Sequence, residues 1–129
     1  MISEHLLDWY SSNKRILPWR ETKDPYKIWI SEIMLQQTQV ATVIPYYQRW
    51  INSFPNIKTL ASADYNDVLK HWEGLGYYSR CKNIYLTAQS LGGELPETFH
   101  ELIQLPGIGE YTAKTILAIA HNQQEVGVD

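Results

Sequence analysis

Glu32 is the residue of this sequence whose surroundings best suit acid–base chemistry. If residues 25–35 are helical, the apolar side chains of Ile28, Trp29 and Ile33 lie close to its carboxyl group. Partial burial disfavours the charged form, raises the pKa and lets a carboxyl hold a proton near neutral pH. The alternative is an exposed or salt-bridged glutamate near a helix end. The segment has no clear polar face, which favours the general acid, because a buried unpaired carboxylate is costly.

A second candidate is the turn at residues 105–109, which has the sequence Leu-Pro-Gly-Ile-Gly. Gly107 and Gly109 let the backbone approach another molecule closely and direct its N–H groups outward. A helix is predicted to begin directly after this turn, so its positive end could hold a phosphate. An ordinary helix–helix connection that needs a positive φ explains the same residues, so the turn alone is only moderately specific.

Residues 74–78, Gly-Leu-Gly-Tyr-Tyr, form a second glycine turn, which would present aromatic side chains. Tyr77 is a candidate wedge that enters a stack of nucleic-acid bases when a duplex is kinked or a base is expelled. Core packing is the alternative, and we expect it for one of the two residues Tyr77 and Tyr78.

Residues 36–39, Gln-Gln-Thr-Gln, form a polar cluster where two predicted helices meet. Side-chain amides can read the edges of bases. A solvated loop between helices explains the cluster equally well, so without further context it leaves both interpretations open.

All four motifs lie on or between predicted helices. Asp24 is a typical N-cap before a proline, and residues 25–35 are apolar on nearly all sides, which predicts a buried helix. Thr38 is predicted to cap a helix that runs to about residue 54 and that Pro45 should kink or divide. Further helices are predicted over residues 3–13, 64–72, 77–90 and 110–120, with a short turn or helix at 56–63 and a short segment capped by Thr98 at 98–103. No strand pairs or repeats are evident, so the predicted fold class is all-α.

Composition bounds the function without selecting one. The chain has 129 residues, 44% of them hydrophobic, which suits one compact domain. Its formal charge of −3, with 11 Lys and Arg against 14 Asp and Glu, disfavours a simple electrostatic binder of nucleic acid. The single cysteine, Cys81, cannot by itself hold zinc or an iron–sulfur cluster. Without a basic leader or an apolar run of about 20 residues, a cytoplasmic address is expected.

Four blocks of the chain closely resemble the MutY-type adenine DNA glycosylases. They are residues 17–20 (LPWR), 25–40 (PYKIWISEIMLQQTQV), 72–80 (WEGLGYYSR) and 105–113 (LPGIGEYTA). The blocks fall in the family's order and together are highly specific. The resemblance implies the helix-hairpin-helix DNA glycosylase fold, with residues 1–129 as the catalytic helical domain, 105–109 as the hairpin and a cleft between helical lobes.

The resemblance also implies a chemistry, in which adenine opposite 8-oxoguanine or guanine is flipped out of duplex DNA. Glu32 matches the catalytic acid that protonates the adenine ring, and Asp129 matches the carboxylate that stabilises the oxocarbenium-like sugar. Tyr111 stands where the related endonuclease III type carries a lysine that forms a Schiff base. Since tyrosine cannot form that imine, the resemblance implies a monofunctional glycosylase in which Tyr111 assists at the sugar.

The same resemblance assigns residues that surround the flipped base and hold the duplex. Those of the adenine pocket are Trp19, Arg20 and Leu35. Those that contact DNA are Gln37, Thr38, Leu75, Gly76, Tyr77, Arg80, Gly107 and Gly109.

The chain departs from the family pattern in two ways. The family holds a 4Fe–4S cluster on four cysteines beyond the catalytic aspartate, and its C-terminal domain helps to recognise 8-oxoguanine. Neither lies within residues 1–129, so we expect a chain truncated before the iron–sulfur module, with its cluster ligands elsewhere. The resemblance also implies a monovalent cation held by hairpin carbonyls, and we expect a monomer that binds double-stranded DNA and no membrane.

Three other functions remain open at this point. A bifunctional glycosylase-lyase of the same fold would require an amine nucleophile. A non-catalytic helix-hairpin-helix module would only grip the DNA backbone. A helical interaction domain would bind no duplex at moderate salt.

Overall fold

Seven helices make up the part of the chain that the computed structural model describes, residues 22–120. They are α1 (Pro25–Leu35), α2 (Val40–Ser53), α3 (Ile57–Ser62), α4 (Tyr65–Lys70), α5 (Tyr78–Ser90), α6 (Phe99–Leu102) and α7 (Glu110–Ala120). Within this range there is no strand, which confirms the all-α prediction. The helix expected over residues 3–13 lies outside the described range. No helix within 22–120 has the length and apolarity needed to cross a membrane.

Helix α1 begins and ends where the sequence predicts. The Asp24 carboxylate accepts a hydrogen bond from the Tyr26 N–H at 3.0 Å, and Pro25 follows at the first helical position. The helix packs against α2 and α7. Seven of its eleven residues are buried, so it forms the centre of the packing, as its nearly continuous apolar surface predicts.

Helix α2 differs from its prediction at two residues. Its N-cap is Gln39, whereas Thr38 donates its hydroxyl to the Gln36 carbonyl at 3.4 Å, so the prediction that Thr38 caps this helix is wrong. Pro45 does not divide the helix, which runs unbroken from Val40 to Ser53. The residue four positions earlier, Ala41, is exposed. Water can therefore replace the backbone hydrogen bond that a proline cannot donate.

Three short helices begin at side-chain caps. Asn56 accepts from the Thr59 N–H at 2.8 Å, and Asp64 accepts from the Asn66 N–H at 3.0 Å. Thr98 accepts from the Glu101 N–H at 3.2 Å and donates its hydroxyl to the Glu101 carboxylate at 2.8 Å. These caps satisfy backbone donors that such short helices cannot pair internally. They confirm the starts predicted at Asp64 and Thr98, and of the two alternatives for residues 56–63 the structure contains the helix.

Three tryptophans fill the core between these helices. Trp29, Trp50 and Trp72 are each at most 1% exposed, and the last two meet edge to face with ring centroids 5.8 Å apart. The Trp50 indole N–H donates to the Tyr26 hydroxyl at 3.0 Å, and that hydroxyl donates to the Phe54 carbonyl at 2.7 Å. The Trp50 indole N–H and the Tyr26 hydroxyl are therefore both paired, and their hydrogen bonds tie α1 to the C-terminal end of α2.

Candidate active site

The Glu32 carboxyl is half-buried on α1, between the buried residues Ser31 and Ile33. Burial raises its pKa to about 7. Among residues 22–120 no hydrogen bond or ion pair reaches this carboxyl, whereas the neighbouring Ser31 hydroxyl donates to the Ile28 carbonyl at 2.8 Å. The predicted desolvation and raised pKa are confirmed. At neutral pH this carboxyl can therefore still hold a proton that it donates as an acid.

Tyr111 lies on α7. Tyr111 is the second residue of α7, which packs against α1, and its side chain is 60% exposed. Leu35, expected in the base pocket, is the last residue of α1 and is half-buried against the core. The structure thus brings Glu32, Tyr111 and Leu35 onto two packed helices. Trp19, Arg20 and Asp129 lie outside the described residues.

The loop that follows α1 turns sharply at Gln37. This residue has a φ of 60° and is exposed, in the left-handed region that is uncommon for residues with a side chain. The Gln36 N–H donates to the Ile33 carbonyl at 3.2 Å, and the Thr38 N–H donates to the Leu35 carbonyl at 3.3 Å. The end of the Glu32 helix therefore fixes a turn that presents the Gln37 amide to solvent.

A second left-handed residue, Tyr77, lies at the end of the turn at 74–77. Its φ is 50° and its ring is 60% exposed. The Trp72 indole N–H donates to the Gly76 carbonyl at 2.9 Å, and the Tyr46 hydroxyl donates to the Glu73 carbonyl at 2.7 Å. The buried Trp72 and the half-buried Tyr46 thus hold the turn that presents Tyr77.

The two tyrosines and the leucine of this segment do not lie as expected. Core packing was predicted for one of Tyr77 and Tyr78, but Tyr78 is also 46% exposed, and its hydroxyl accepts from the Gly74 N–H at 3.2 Å. That prediction is wrong, because the apolar side of α5 begins only at Cys81. Leu75, expected to face DNA, is 7% exposed and belongs to the core.

Arg80 joins the two left-handed turns. Its Nη1 donates to the Ile33 carbonyl at 2.8 Å and also to the Gln36 carbonyl. Its guanidinium carbon lies 5.0 Å from the centre of the Tyr77 ring and 5.7 Å from that of Trp72. Desolvation lowers the pKa of Arg80. The guanidinium is thus engaged with the protein at both turns.

Two residues of α5 lie against the turn at 105–109. Gly107 has a φ of 81°, and a Cβ atom there would come to 3.4 Å from the Cβ of Asn83. The Thr87 hydroxyl donates to the Pro106 carbonyl at 3.3 Å. Gly109 is exposed and α7 begins at the next residue. The predicted tight turn before a helix, with a glycine at positive φ, is confirmed.

Sequence reasoning missed the residues that hold these turns from a distance. Thr87 shares one side of α5 with Arg80 and Asn83, since positions 80, 83 and 87 recur at helical spacing. That spacing is a signal which could have indicated a common role. Tyr46 carries no such signal, because it lies 27 residues from the carbonyl it binds.

The described residues do not fit an iron–sulfur cluster. Cys81 is the only cysteine of the chain, and burial raises the pKa of its thiol to about 12. Between residues 22 and 120 there is no group of three or more His, Cys, Asp or Glu residues that could hold a metal ion. The cluster stays an expectation for segments outside this chain.

Known protein families and proteins resemble this chain over most of its length. A family model described as "HhH-GPD superfamily base excision DNA repair protein" matches residues 30–124. The chain is 52% identical over 122 residues to an adenine DNA glycosylase of Buchnera aphidicola subsp. Baizongia pistaciae, covering 91% of this chain and 35% of that protein. It is 46% identical over 137 residues to the human adenine DNA glycosylase, covering 96% of this chain and 25% of that protein. The chain spans about a quarter to a third of the length of these relatives.

Solved structures show the same arrangement of helices. A thermostable thymine-DNA glycosylase aligns with a TM-score of 0.79 at 25% identity, over 92% of this chain and 57% of that one. A non-covalent endonuclease III–DNA complex aligns with a TM-score of 0.71 at 19% identity, over 95% and 62%. The helix order, the turn at 105–109 and the match over residues 30–124 together show that this chain belongs to the HhH-GPD superfamily of base excision DNA repair proteins.

Proposed function

We propose that this chain is the catalytic helical part of a monofunctional adenine DNA glycosylase, which releases adenine opposite 8-oxoguanine or guanine in duplex DNA. The observation that carries the proposal is the half-buried Glu32 carboxyl, whose pKa of about 7 suits a proton donor at neutral pH. The relatives named adenine DNA glycosylase, 46–52% identical to this chain, support the choice of base.

The proposed reaction needs one proton and one water molecule. Glu32 donates its proton to a ring nitrogen of the flipped adenine, and the C–N glycosidic bond breaks with its electron pair going to the base. Adenine then leaves in neutral form, and positive charge remains on the sugar. The Asp129 carboxylate, which lies outside the described residues, stabilises this charge. Water adds to the sugar carbon and loses a proton, which leaves an abasic site.

Tyr111 determines which kind of glycosylase we propose. Strand cleavage through a Schiff base requires an amine at the sugar. The phenol of Tyr111 cannot form a Schiff base. The Tyr111 side chain is 60% exposed on a helix that packs against the Glu32 helix, so it can contact the sugar of a flipped nucleotide. We therefore assign it an assisting role without a lyase step.

The exposed turns form the proposed duplex-binding surface. Tyr77 and Gln37 present side chains that can enter or probe the base stack, with Thr38 and Gly76 beside them. Gly107 and Gly109 present backbone N–H groups at the start of α7, where a phosphate is stabilised by the helix end. Trp19, Arg20 and Leu35 would line the adenine pocket. A monovalent cation at the hairpin is part of the proposal, but no step of the reaction depends on it.

The experiment that tests the proposal is single-turnover processing of an 8-oxoguanine·adenine duplex by the full-length protein, with and without hot alkali. Strand breaks at the adenine that need alkali are the expected result, because a monofunctional glycosylase leaves the abasic strand intact. Breaks without alkali, together with borohydride trapping of a covalent adduct, would instead establish a glycosylase-lyase.

The variant Glu32→Gln separates catalysis from binding. It should lower adenine release about 10²–10⁴-fold and leave duplex affinity largely intact, because the amide fills the same space but cannot donate an acidic proton. Undiminished release by this variant would remove Glu32 as the acid. Tight duplex binding without release by the unmodified protein would favour a module that only grips DNA.

A further inference from the structure

Arg80 is one of the residues expected to contact DNA, yet its donors are directed into the protein. Nη1 is shared between the Ile33 and Gln36 carbonyls. Nε and Nη2 are buried, and no hydrogen-bond partner reaches them among residues 22–120. A phosphate contact needs guanidinium N–H groups at the surface. In this conformation none of the three guanidinium nitrogens offers one.

The two carbonyls that Nη1 binds lie at the C-terminal end of α1. The last carbonyls of a helix have no partner within it, and a cation close to them also offsets the negative end of the helix. Arg80 therefore closes the end of the helix that carries Glu32, just before the left-handed residue Gln37.

The other contacts of the same guanidinium fix the second turn. It lies within 5.0 Å of the Tyr77 ring centre and 5.7 Å of the Trp72 ring centre, within the range of a cation–π contact. The Trp72 indole N–H also donates a hydrogen bond to the Gly76 carbonyl at 2.9 Å. One planar group thus spans the two left-handed residues of the described chain that are not glycine, Gln37 and Tyr77.

We propose that Arg80 is a positioning residue that holds the Gln37 turn and the Tyr77 turn in register with each other and with the end of the Glu32 helix. The proposal rests on the proposed function for its consequence, that the two side chains enter the duplex together beside the acid. In this proposal Arg80 acts through the two turns and does not itself contact DNA. The planar fork is needed, because a lysine ammonium can reach the carbonyls but cannot cover the tyrosine ring.

The test compares the full-length variants Arg80→Met and Arg80→Lys with Lys82→Met. Lys82 is exposed on the same helix, so the last variant removes one positive charge without touching the turns. Three quantities are measured: amide hydrogen exchange in the free protein, the salt dependence of binding to undamaged duplex, and single-turnover adenine release. Arg80→Met also removes the two unpartnered donors, so we expect it to fold.

A positioning role predicts faster exchange at residues 36–40 and 74–78 in both Arg80 variants, unchanged exchange at the core residues of α1 and α7, and no change with Lys82→Met. Adenine release should fall about 100-fold in both Arg80 variants, as for a small displacement of groups that must meet the substrate together. The salt slope of duplex binding should not change.

Two results would overturn this role. One is unchanged exchange in the two turns. The other is a salt slope that falls by about 0.9 with Arg80→Met and is restored by Arg80→Lys, which indicates a phosphate contact. If the unmodified protein releases no adenine, the proposed function fails. The exchange data still decide whether Arg80 holds the turns, so the two failures are distinguishable.

Discussion

The Glu32 site and the glycine turns at 74–77 and 105–109 treat polar groups in opposite ways. The Glu32 carboxyl is half-buried with no hydrogen bond to residues 22–120. In contrast, the Glu73, Gly76 and Pro106 carbonyls each accept a hydrogen bond from a side chain outside the two turns. Leaving a carboxyl unpaired favours its protonated form and costs stability. Pairing the carbonyls fixes a surface. The first region suits proton donation, and the second suits a rigid contact with another molecule.

Glu32→Gln gives the sharpest test of this contrast, because one substitution should lower activity and raise stability. Adenine release should fall by about 10²–10⁴-fold, the usual contribution of a general acid. At pH 8 the free energy of unfolding should rise, since the amide carries no charge to desolvate. Single-turnover kinetics and urea denaturation of the same preparation measure the two effects.

The matched control for that variant is Glu94→Gln, an exposed glutamate outside the site. It should change neither quantity. A Glu32→Gln protein that is less stable than the unmodified chain at pH 8 would contradict the unpaired state of the carboxyl.

Gly74→Ala should be the most damaging substitution in the turns. Gly74 has a φ of 101°, and a Cβ atom there would overlap the Tyr46 hydroxyl. The substitution therefore combines backbone strain with loss of the Tyr46 bond to the Glu73 carbonyl, about 2–4 kcal/mol in all. Urea denaturation measures the loss. Gly109→Ala is the control, since nothing lies within 4 Å of a Cβ atom there; equal losses in both would show that the turn at 74–77 is not specially constrained.

The pH dependence of stability should carry the signature of Glu32. Its pKa is raised to about 7 in the folded chain from an ordinary value of 4.5. Between these values the folded state holds a proton that the unfolded state has lost, so stability falls as pH rises through this window. The decrease should be about 1–3 kcal/mol, because the group is not fully buried. Denaturation of the unmodified chain and Glu32→Gln at pH 5 and pH 8 isolates this contribution; an identical pH dependence in both proteins would disprove it.

Thr87→Val tests the hydrogen bond that links α5 to the hairpin at 105–109, and its expected effect is the smallest. The valine keeps the shape of a buried residue and removes the hydroxyl that donates to the Pro106 carbonyl. We expect a loss of about 1 kcal/mol in unfolding free energy and weaker binding to duplexes of any sequence, because the hairpin presents backbone and not base-reading side chains. Thr42→Val, at an exposed position of α2, is the control. Weakened binding to only some sequences would contradict a backbone contact.

Local chemistry made much of the fold predictable. Asp24 before proline, Asn56, Asp64 and Thr98 each predict a helix start that the structure contains, because a cap bonds backbone groups two or three residues away. The prediction for Thr38 failed, because the left-handed Gln37 turns the chain and α2 begins one residue later than predicted, with Gln39 as its N-cap.

The candidate acid was also predictable, because its apolar neighbours at helical spacing lie in the same helix and burial of that helix follows from its composition. The catalytic assignments of Tyr111 and Asp129 rest on the resemblance to a known family. The exposure of both Tyr77 and Tyr78 was not predictable from composition, since an aromatic residue suits a core and a surface equally well.

By itself, the sequence determined the helices of residues 22–120, most of their caps, the glycine turns and the half-buried state of Glu32, because each depends on residues within about one or two helical turns of each other. Only the tertiary structure decided what holds those turns. Tyr46 reaches Glu73 across 27 residues and Arg80 reaches Ile33 across 47. Contacts of this kind depend on how the helices pack against one another, and no local spacing in the chain records them.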